Sequence, residues 1–439
     1  MSFEDTINFN SYLTYKKIKE NLVFNYKGIN IIRGAAFNIL NICLEHKKNN
    51  FLNIIKHLKY LFLKIDIKKI YQAFLYKKII ITELCGRKDH WQMLKMLSTS
   101  LPESVIVPLH PHKKDINIKY KTLYKIIKFL YQESLLNNFR LVDKIILAFE
   151  LTYYCRQIDI LEKEFNHFCL PGRAYIPLNS SVGIEAIMTL FFNIHNISTY
   201  HIFHGIFGNY KIKIANDIIN GENITAAKIL AFSETTRKDL IRDFSIRPEI
   251  IFTAGNIKYP NKKICLKTTF NRCLVLNGFG IYDHDFIKLL KILDDFSYKT
   301  KISFEIKPHP NSFIDFKKNM KWNKYISFIP KHTTLKELFI KRNYDFAITF
   351  NTVTYYECMY YDLVTFRYAV NENLDFKGLD DKFDSAETLI KKIKHYQEIN
   401  LYDLNIQVED LLIQTFGMGI NNYSKIIIND LNVKNEFQS

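Results

Sequence analysis

Ser303-Phe304-Glu305-Ile306-Lys307-Pro308-His309-Pro310 and Asp345-Phe346-Ala347-Ile348-Thr349-Phe350-Asn351-Thr352 repeat one design. In each, a short run with the character of a buried strand stops abruptly in polar residues. Proline lacks the amide hydrogen that a central strand needs, so Pro308 and Pro310 leave His309 at a strand end. In the second stretch the strand over 345–348 gives way to Thr349, Asn351 and Thr352, and a helix is predicted from Val353. In open α/β sheets ligands bind at the carboxyl ends of strands, where helix N-termini offer amide hydrogens to phosphate. A histidine and a hydroxyl-rich helix start at two strand ends are the parts of a diphosphate or phosphodiester cradle.

The same strand-then-polar pattern runs through the rest of the chain. Strands are predicted at 78–82, 104–109, 175–178, 198–203, 229–232, 250–253 and 273–276, separated by helical stretches. Alternation at this spacing is the βαβ signature of a parallel sheet. The hydrophilic segment 258–267, with Pro260 and several lysines, reads as a linker. The expected fold is therefore α/β, with two Rossmann-like domains facing across a cleft. Residues 1–76 form a helical, lysine-rich N-terminal region, 77–257 a first Rossmann-like domain, 258–415 a second Rossmann-like domain, and 416–439 a C-terminal helix and tail.

With 48% hydrophobic and 24% charged residues, the 439-residue chain has the composition of a globular protein with a full core. Its 35 phenylalanines and 27 tyrosines against 14 glycines, with many Lys, Ile and Asn, fit an AT-rich coding genome. The formal net charge of +17 favours anionic partners. Much of it lies early, at Lys16, Lys17, Lys19, Lys47, Lys48, Lys56, Lys59, Lys64, Lys68, Lys69, Lys77 and Lys78. These lysines alternate with apolar residues at helical spacing, as in 51–61. Such a helix suits either an anionic inner-membrane surface or a solvated position on its own domain. The excess is diffuse and lysine-led, without the clustered arginines and aromatic platforms of a nucleic-acid module, so nucleic acid ranks low as a partner. Seven scattered cysteines, none in a C-x-x-C pair, point to a reducing compartment with neither disulfide framework nor zinc site. The start Met1-Ser2-Phe3-Glu4-Asp5 does not read as a signal peptide, and no apolar run is long enough to span a bilayer. The expected location is cytoplasmic, with peripheral attachment to the inner membrane left open.

Three motifs together carry a family likeness. Lys307-Pro308-His309-Pro310, the Thr349-Phe350-Asn351-Thr352 loop before a helix with Glu357, and His204-Gly205 resemble bacterial surface-polysaccharide glycosyltransferases of the GT-B type. Among these are sialyltransferases, Kdo transferases and CDP-glycerol-type phosphotransferases of capsule and teichoic-acid synthesis. The likeness spans about 177–369 and implies a GT-B-like fold in which 77–257 is the Rossmann-like acceptor domain and 258–415 the Rossmann-like nucleotide-donor domain. It implies a bacterial, metal-independent, inverting transferase with no cofactor beyond its co-substrate. The donor would be a nucleotide sugar, such as a CMP-linked acidic sugar (CMP-sialic acid being one), and the acceptor a capsule or lipooligosaccharide glycan or a lipid-linked one.

Such a transfer must stabilise a leaving phosphate and deprotonate an acceptor. His309 and His204 are the catalytic candidates, the first toward the phosphate and the second as base, since a histidine titrates near neutrality. In the CDP-glycerol-type enzymes a His-Gly motif is held to supply the base. The acidic-acidic-glycine motif of sialyltransferases is not found in this chain, which weakens that closer assignment. Lys307, Thr349, Asn351, Thr352, Glu357, Gly278 and Gly280 are donor-side candidates; Glu83, Arg87, Asp89 and His90, at the end of the first strand, are acceptor-side ones. Each has a plain structural alternative: a proline-fixed turn for His309, a strand-end histidine bonded to backbone for His204, and a helix cap for Thr352, Ser180, Ser181 and Glu185. Asp283-His284-Asp285 begins a helix rather than a metal motif, so no metal site is expected. A CDP-alditol phosphotransferase, a nucleotide-sugar epimerase of the same fold, and a non-enzymatic nucleic-acid-binding or assembly protein are the rival readings.

Overall fold

The computed structural model describes residues 3–44, 50–84, 86–109, 111–114, 119–166, 172–205, 210–318, 321–341, 343–373 and 377–436. Lys47, Lys48, Cys85 and Cys169 lie outside the described residues. The chain divides into two compact units, Met1–Lys258 with Asn421–Ser439, and Tyr259–Ile420.

Unit 1 is built on a parallel sheet of six strands: β1 (Ile79–Glu83), β2 (Ser104–Pro108), β3 (Ala174–Pro177), β4 (Ser198–Ile202), β5 (Lys228–Ala231) and β6 (Ile251–Thr253). They lie in the order β6-β5-β4-β3-β1-β2, so the direction of winding reverses between β1 and β3. That reversal is the topological switch point of a doubly wound sheet. The N-terminal region is no separate body. Tyr15, Ile39, Leu40, Ile70 and Phe74 share one apolar cluster with Ile80 of β1, Tyr175 of β3 and Phe192. Helices Phe3–Asn21, Ile32–Cys43 and Ile67–Tyr76 thus form a layer of unit 1. Through that layer runs the helix Leu141–Phe165, buried almost all round, which is why it lacks the polar stripe of a surface helix. The last helix, Tyr423–Glu436, also belongs to unit 1, where Tyr423, Ile427 and Leu431 join the core under β1 and β3.

Unit 2 carries a second parallel sheet: β7 (Arg272–Asn277), β8 (Ser303–Lys307), β9 (Ile326–Phe328), β10 (Phe346–Phe350), β11 (Val364–Tyr368) and β12 (Lys382–Phe383). The order β9-β8-β7-β10-β11-β12 is the Rossmann sequence 3-2-1-4-5-6, with its switch point between β7 and β10. The expected pair of GT-B-like Rossmann units is therefore present as two parallel six-stranded sheets.

Two sequence expectations change. The segment read as a linker changes units after Lys258, and its remainder is strapped onto unit 2. There Tyr259 donates to Glu357, Lys262 pairs with Asp362, and the amide of Ile264 donates to Glu409. The second-motif strand extends two residues further than its pattern suggested. Thr349 and Phe350 lie in β10, and Thr349 is paired in register with Leu276 and Arg367.

Candidate functional site

At the unit 2 switch point the two opening motifs are joined by a third loop. β7 lies between β8 and β10, so its continuation Asn277-Gly278-Phe279-Gly280 emerges between the Pro308–Asn311 turn and the Asn351 loop. The fit is tight on both sides. The amide of Gly278 donates to Phe350 O at 2.8 Å, and a Cβ on Gly278 would lie 2.1 Å from Asn351 O. A Cβ on Gly280 would lie 2.3 Å from Asn311 O. Both glycines serve close backbone approach, which a side chain would prevent.

Asp283 locks the assembly. It opens the helix Asp283–Thr300 and is buried. Its Oδ1 accepts from Asn277 Nδ2 at 2.9 Å and from Ser312 Oγ at 2.8 Å; its Oδ2 accepts from the amides of Phe313 at 2.7 Å and Ile314 at 3.2 Å. The sequence suggested only a helix-dipole role for this residue. Three of its four hydrogen-bond partners, Ser312, Phe313 and Ile314, lie about thirty residues away in the chain, and no local pattern announces them.

The predicted donor residues fall into distinct roles. His309 is half-buried, with its ring edge-on to Phe279 at 5.6 Å between centroids. Its Nδ1 accepts the amide of Asn311 at 3.1 Å, which in the neutral ring puts the proton on Nε2 and makes that nitrogen a donor. Asn351 adopts φ +48° and is held by the following loop, its Oδ1 accepting from Asn373 N at 2.8 Å. Lys307 is a strut rather than an offered cation: burial lowers its pKa, and its Nζ donates to Pro308 O and Lys331 O, each at 3.0 Å. Thr349 is a buried strand residue rather than a loop hydroxyl. Thr352 is not the helix cap. The helix is the short Thr354–Tyr360, its N-cap is Val353, and Thr352 Oγ1 accepts the amide of Thr354 at 3.3 Å. Glu357 takes the hydroxyl of Tyr259 at 2.8 Å and so secures the strap.

Unit 1 gathers a second set at the ends of β1 and β4. His204, half-buried, follows β4, and its ring lies 4.8 Å from that of His90 on the helix Lys88–Ser100. His90 is 4% exposed, and both its ring nitrogens lack a hydrogen-bond partner among the described residues. Its Nε2 stands 4.0 Å from Asp89, beyond hydrogen-bond length. Burial lowers His90 to about 4, helped by the positive charge of Arg87 and Lys258. Burial, His90 and the same two cations lower His204 to about 4. His201, a buried residue of β4, bonds Ser180 Oγ through Nδ1 at 2.8 Å and is lowered to about 3 by burial and His204. All three rings are neutral at pH 7.

The remaining acceptor-side candidates separate. Arg87 and Asp89 form an exposed two-pronged pair, Nε to Oδ1 at 3.1 Å and Nη2 to Oδ2 at 2.6 Å. Burial opposes ionisation of Asp89, but Arg87, His90 and Lys258 outweigh it and hold the carboxyl at about 2. Glu83 is buried and accepts the amide of Gly86, closing its own turn. Glu185 is no surface cap. It is buried beneath the β1–β3 switch point, where it accepts from Thr82 Oγ1 at 2.8 Å, Leu178 N at 3.1 Å and Asn179 N at 3.3 Å, and burial raises it to about 8. Among the described residues no group of three or more His, Cys, Asp or Glu is placed to hold a metal, and no helix is long and apolar enough to cross a membrane.

No protein-family model and no curated protein sequence matches the chain. Solved structures do, at low identity. The UDP-GlcNAc 2-epimerase of Methanocaldococcus jannaschii, in complex with UDP-GlcNAc and UDP, aligns over 81% of this chain and 99% of its own, at 14% identity and TM-score 0.48. The UDP-GlcNAc 2-epimerase of Neisseria meningitidis bound to UDP-GlcNAc aligns over 81% and 100%, at 13% identity and TM-score 0.46. The pneumococcal O-GlcNAc transferase GtfA in complex with UDP and GlcNAc aligns over 64% and 59%, at 11% identity and TM-score 0.40.

Proposed function

We propose that this chain is a nucleotide-sugar-dependent glycosyltransferase whose unit 2 holds the donor phosphates. One observation carries the reading: three adjacent strand ends at the unit 2 switch point are interlocked by Gly278, Gly280 and Asp283. Beside this interlock, His309 Nδ1 accepts the amide of Asn311, which in the neutral ring makes Nε2–H the donor. A fixed hydrogen-bond donor at the leaving phosphate stabilises charge as it develops, without reorganisation at the moment of transfer. His204 is the proton acceptor for the acceptor hydroxyl. Held at about 4, it is neutral at pH 7, which a base must be before it acts. The donor is a nucleotide-linked sugar, an acidic one carried on CMP being the leading candidate, and the acceptor a capsule or lipooligosaccharide glycan. The reaction is metal-independent and inverting.

The work place is the cytoplasmic face of a membrane. Helix Tyr120–Gln132 supports this. Ile126 and Leu130 are buried, while Tyr120, Tyr124, Ile127 and Tyr131 form an exposed apolar stripe beside Lys121, Lys125 and Lys128, and the helix has no acidic residue. Tyrosines flanked by lysines suit the headgroup layer of an anionic bilayer.

A thermal-shift panel of CMP, CDP, UDP, GDP and ADP on the parent and His309→Ala tests the reading. A ligand that binds the native state alone raises the melting temperature by mass action. Stabilisation by CMP or CDP that His309→Ala abolishes is the expected result. Stabilisation by UDP alone redirects the donor and brings the epimerase reading forward, and no response to any nucleotide overturns the proposal.

A further inference from the structure

Two buried histidines with unmet ring nitrogens call for a physical explanation. A buried polar atom without a partner is costly, and in native proteins it commonly marks an absent ligand, ion or water. His90 has two such nitrogens, and the Nε2 of neighbouring His201 is a third. The charges around them are one-sided. Arg87 and Lys258 lie within electrostatic reach of both His90 and His204, His201 adds another imidazole, and the opposing carboxylate, Asp89, is already taken by Arg87 on two bonds. The place is also apt, since β1 and β4 end here and ligands of doubly wound sheets sit beyond the carboxyl ends of strands.

We propose that His90 and His204 form an anion subsite of unit 1, which takes a phosphate or carboxylate group carried by the acceptor. This rests on the transferase reading and sharpens it: the acceptor is itself acidic. The unliganded pair is neutral because burial and the nearby Arg87 and Lys258 cations disfavour a proton on either ring. An anion between or beside the rings reverses that balance, since an opposite charge within a few ångströms favours the charged form. Binding therefore draws a proton onto His90, whose imidazolium offers a charged N–H to the anion, while His204 stays neutral. His90 is a binding residue in this scheme and His204 keeps its role as base. The occupant's charge raises the basicity of the ring that must accept the hydroxyl proton.

The test is calorimetric titration of the full chain with sulfate and, separately, with acetate, at pH 6 and pH 8, in two buffers of different ionisation enthalpy. Sulfate keeps its charge across this range, so any proton taken up belongs to the protein. The expected result is sulfate or acetate binding at least tenfold tighter at pH 6, with net proton uptake. His90→Gln should lose both features and His309→Ala should keep them. Preference for sulfate assigns a phosphate and preference for acetate a carboxylate. Should His90→Gln fail to fold, His90→Asn and the imidazole C–H resonances of the parent, followed during sulfate titration, carry the same distinction. In the His309→Ala background, which removes the unit 2 phosphate donor, binding without proton uptake, binding that survives a folded His90 substitution, or no binding overturns the subsite. Nucleotide stabilisation lost only in His309→Ala is read independently, so either conclusion can fall without the other.

Discussion

Gly278→Ala is the sharpest probe of the unit 2 interlock. The backbone of Gly278 is not left-handed, so alanine costs nothing through φ, and the whole effect is steric. The added Cβ would lie 2.1 Å from Asn351 O and 2.9 Å from Asn351 C, against backbone that cannot rotate away. The loops must separate by about 1.3 Å or more to reach ordinary contact. That movement strains the 2.8 Å bond from Gly278 N to Phe350 O. Overpacking at about 1–3 kcal/mol and a lost hydrogen bond at about 1 kcal/mol give roughly 2–4 kcal/mol. The chain has two tryptophans, Trp91 in unit 1 and Trp322 in unit 2. Trp322 donates to Phe316 O at 3.0 Å and packs on Phe328, so in a Trp91→Phe background its fluorescence follows unit 2. With a urea dependence of about 2 kcal/mol per molar, the unit 2 midpoint should fall by about 1–2 M. Gly205→Ala is the control, because its Cβ would meet nothing within 4 Å, and its effect on stability should be close to zero. A Gly278→Ala midpoint within about 0.2 M of the parent, or an equal loss in Gly205→Ala, refutes the steric argument.

Asp283→Ala leaves the amides of Phe313 and Ile314, Ser312 Oγ and Asn277 Nδ2 without their acceptor and should cost about 3–5 kcal/mol on the same fluorescence; Asp283→Asn, whose new N–H a flipped Asn277 amide can accept, should cost about 1–2 kcal/mol, and equal losses would deny the carboxylate its clamping role. Glu185 sits at about 8 when folded, above its unfolded value, so its contribution is full below the unfolded value and is lost as pH rises through about 8. Glu185→Gln should therefore gain on the parent between pH 5 and 9, by about 2–4 kcal/mol at about 1.36 kcal/mol per pH unit, and parallel stability curves would remove the buried-acid account. Reversing Lys121, Lys125 and Lys128 to glutamate should lower binding to phosphatidylcholine vesicles with about one third phosphatidylserine by a hundredfold or more, at about 1 kcal/mol per lysine; binding that ignores both the substitutions and salt would end the membrane reading.

The strands that organise both sites were legible because short runs of strand-forming residues stop abruptly in polar, glycine or proline turns. Pro308 and Pro310 mark the end of β8 as surely as any coordinate. β11 escaped the sequence reading for an identifiable reason. It carries Arg367, a residue that argues against a buried strand until its partner is seen: Arg367 meets Asp381 at 2.6 Å and stacks on Tyr355 at 4.7 Å, so the charge is buried and paired. β9 and β12 span three and two residues, too short to set a period. The N-terminal helices were legible as helices but not as part of unit 1, because helical periodicity shows that a face is buried without naming what covers it.

The same limit sorts the site residues. The motifs singled out side chains able to bind a nucleotide donor, and several of those are spent on the protein itself: Lys307 on two carbonyls, Thr352 on a neighbouring amide, Glu357 on Tyr259. A polar residue at a strand end has to satisfy local backbone before it can serve a ligand, and motif reading does not see that demand. His309 meets it at Nδ1, and that bond fixes the neutral ring's proton on Nε2, which is possible only for a side chain with two chemically distinct ring atoms. Asn311 thus determines which face of His309 donates. A substitution that removes Asn311's backbone amide, Asn311→Pro, should weaken any nucleotide stabilisation about as much as His309→Ala does, through the tautomer rather than through the ring. If Asn311→Pro folds and binds nucleotide as the parent does, the fixed-donor argument fails while His309 itself still stands.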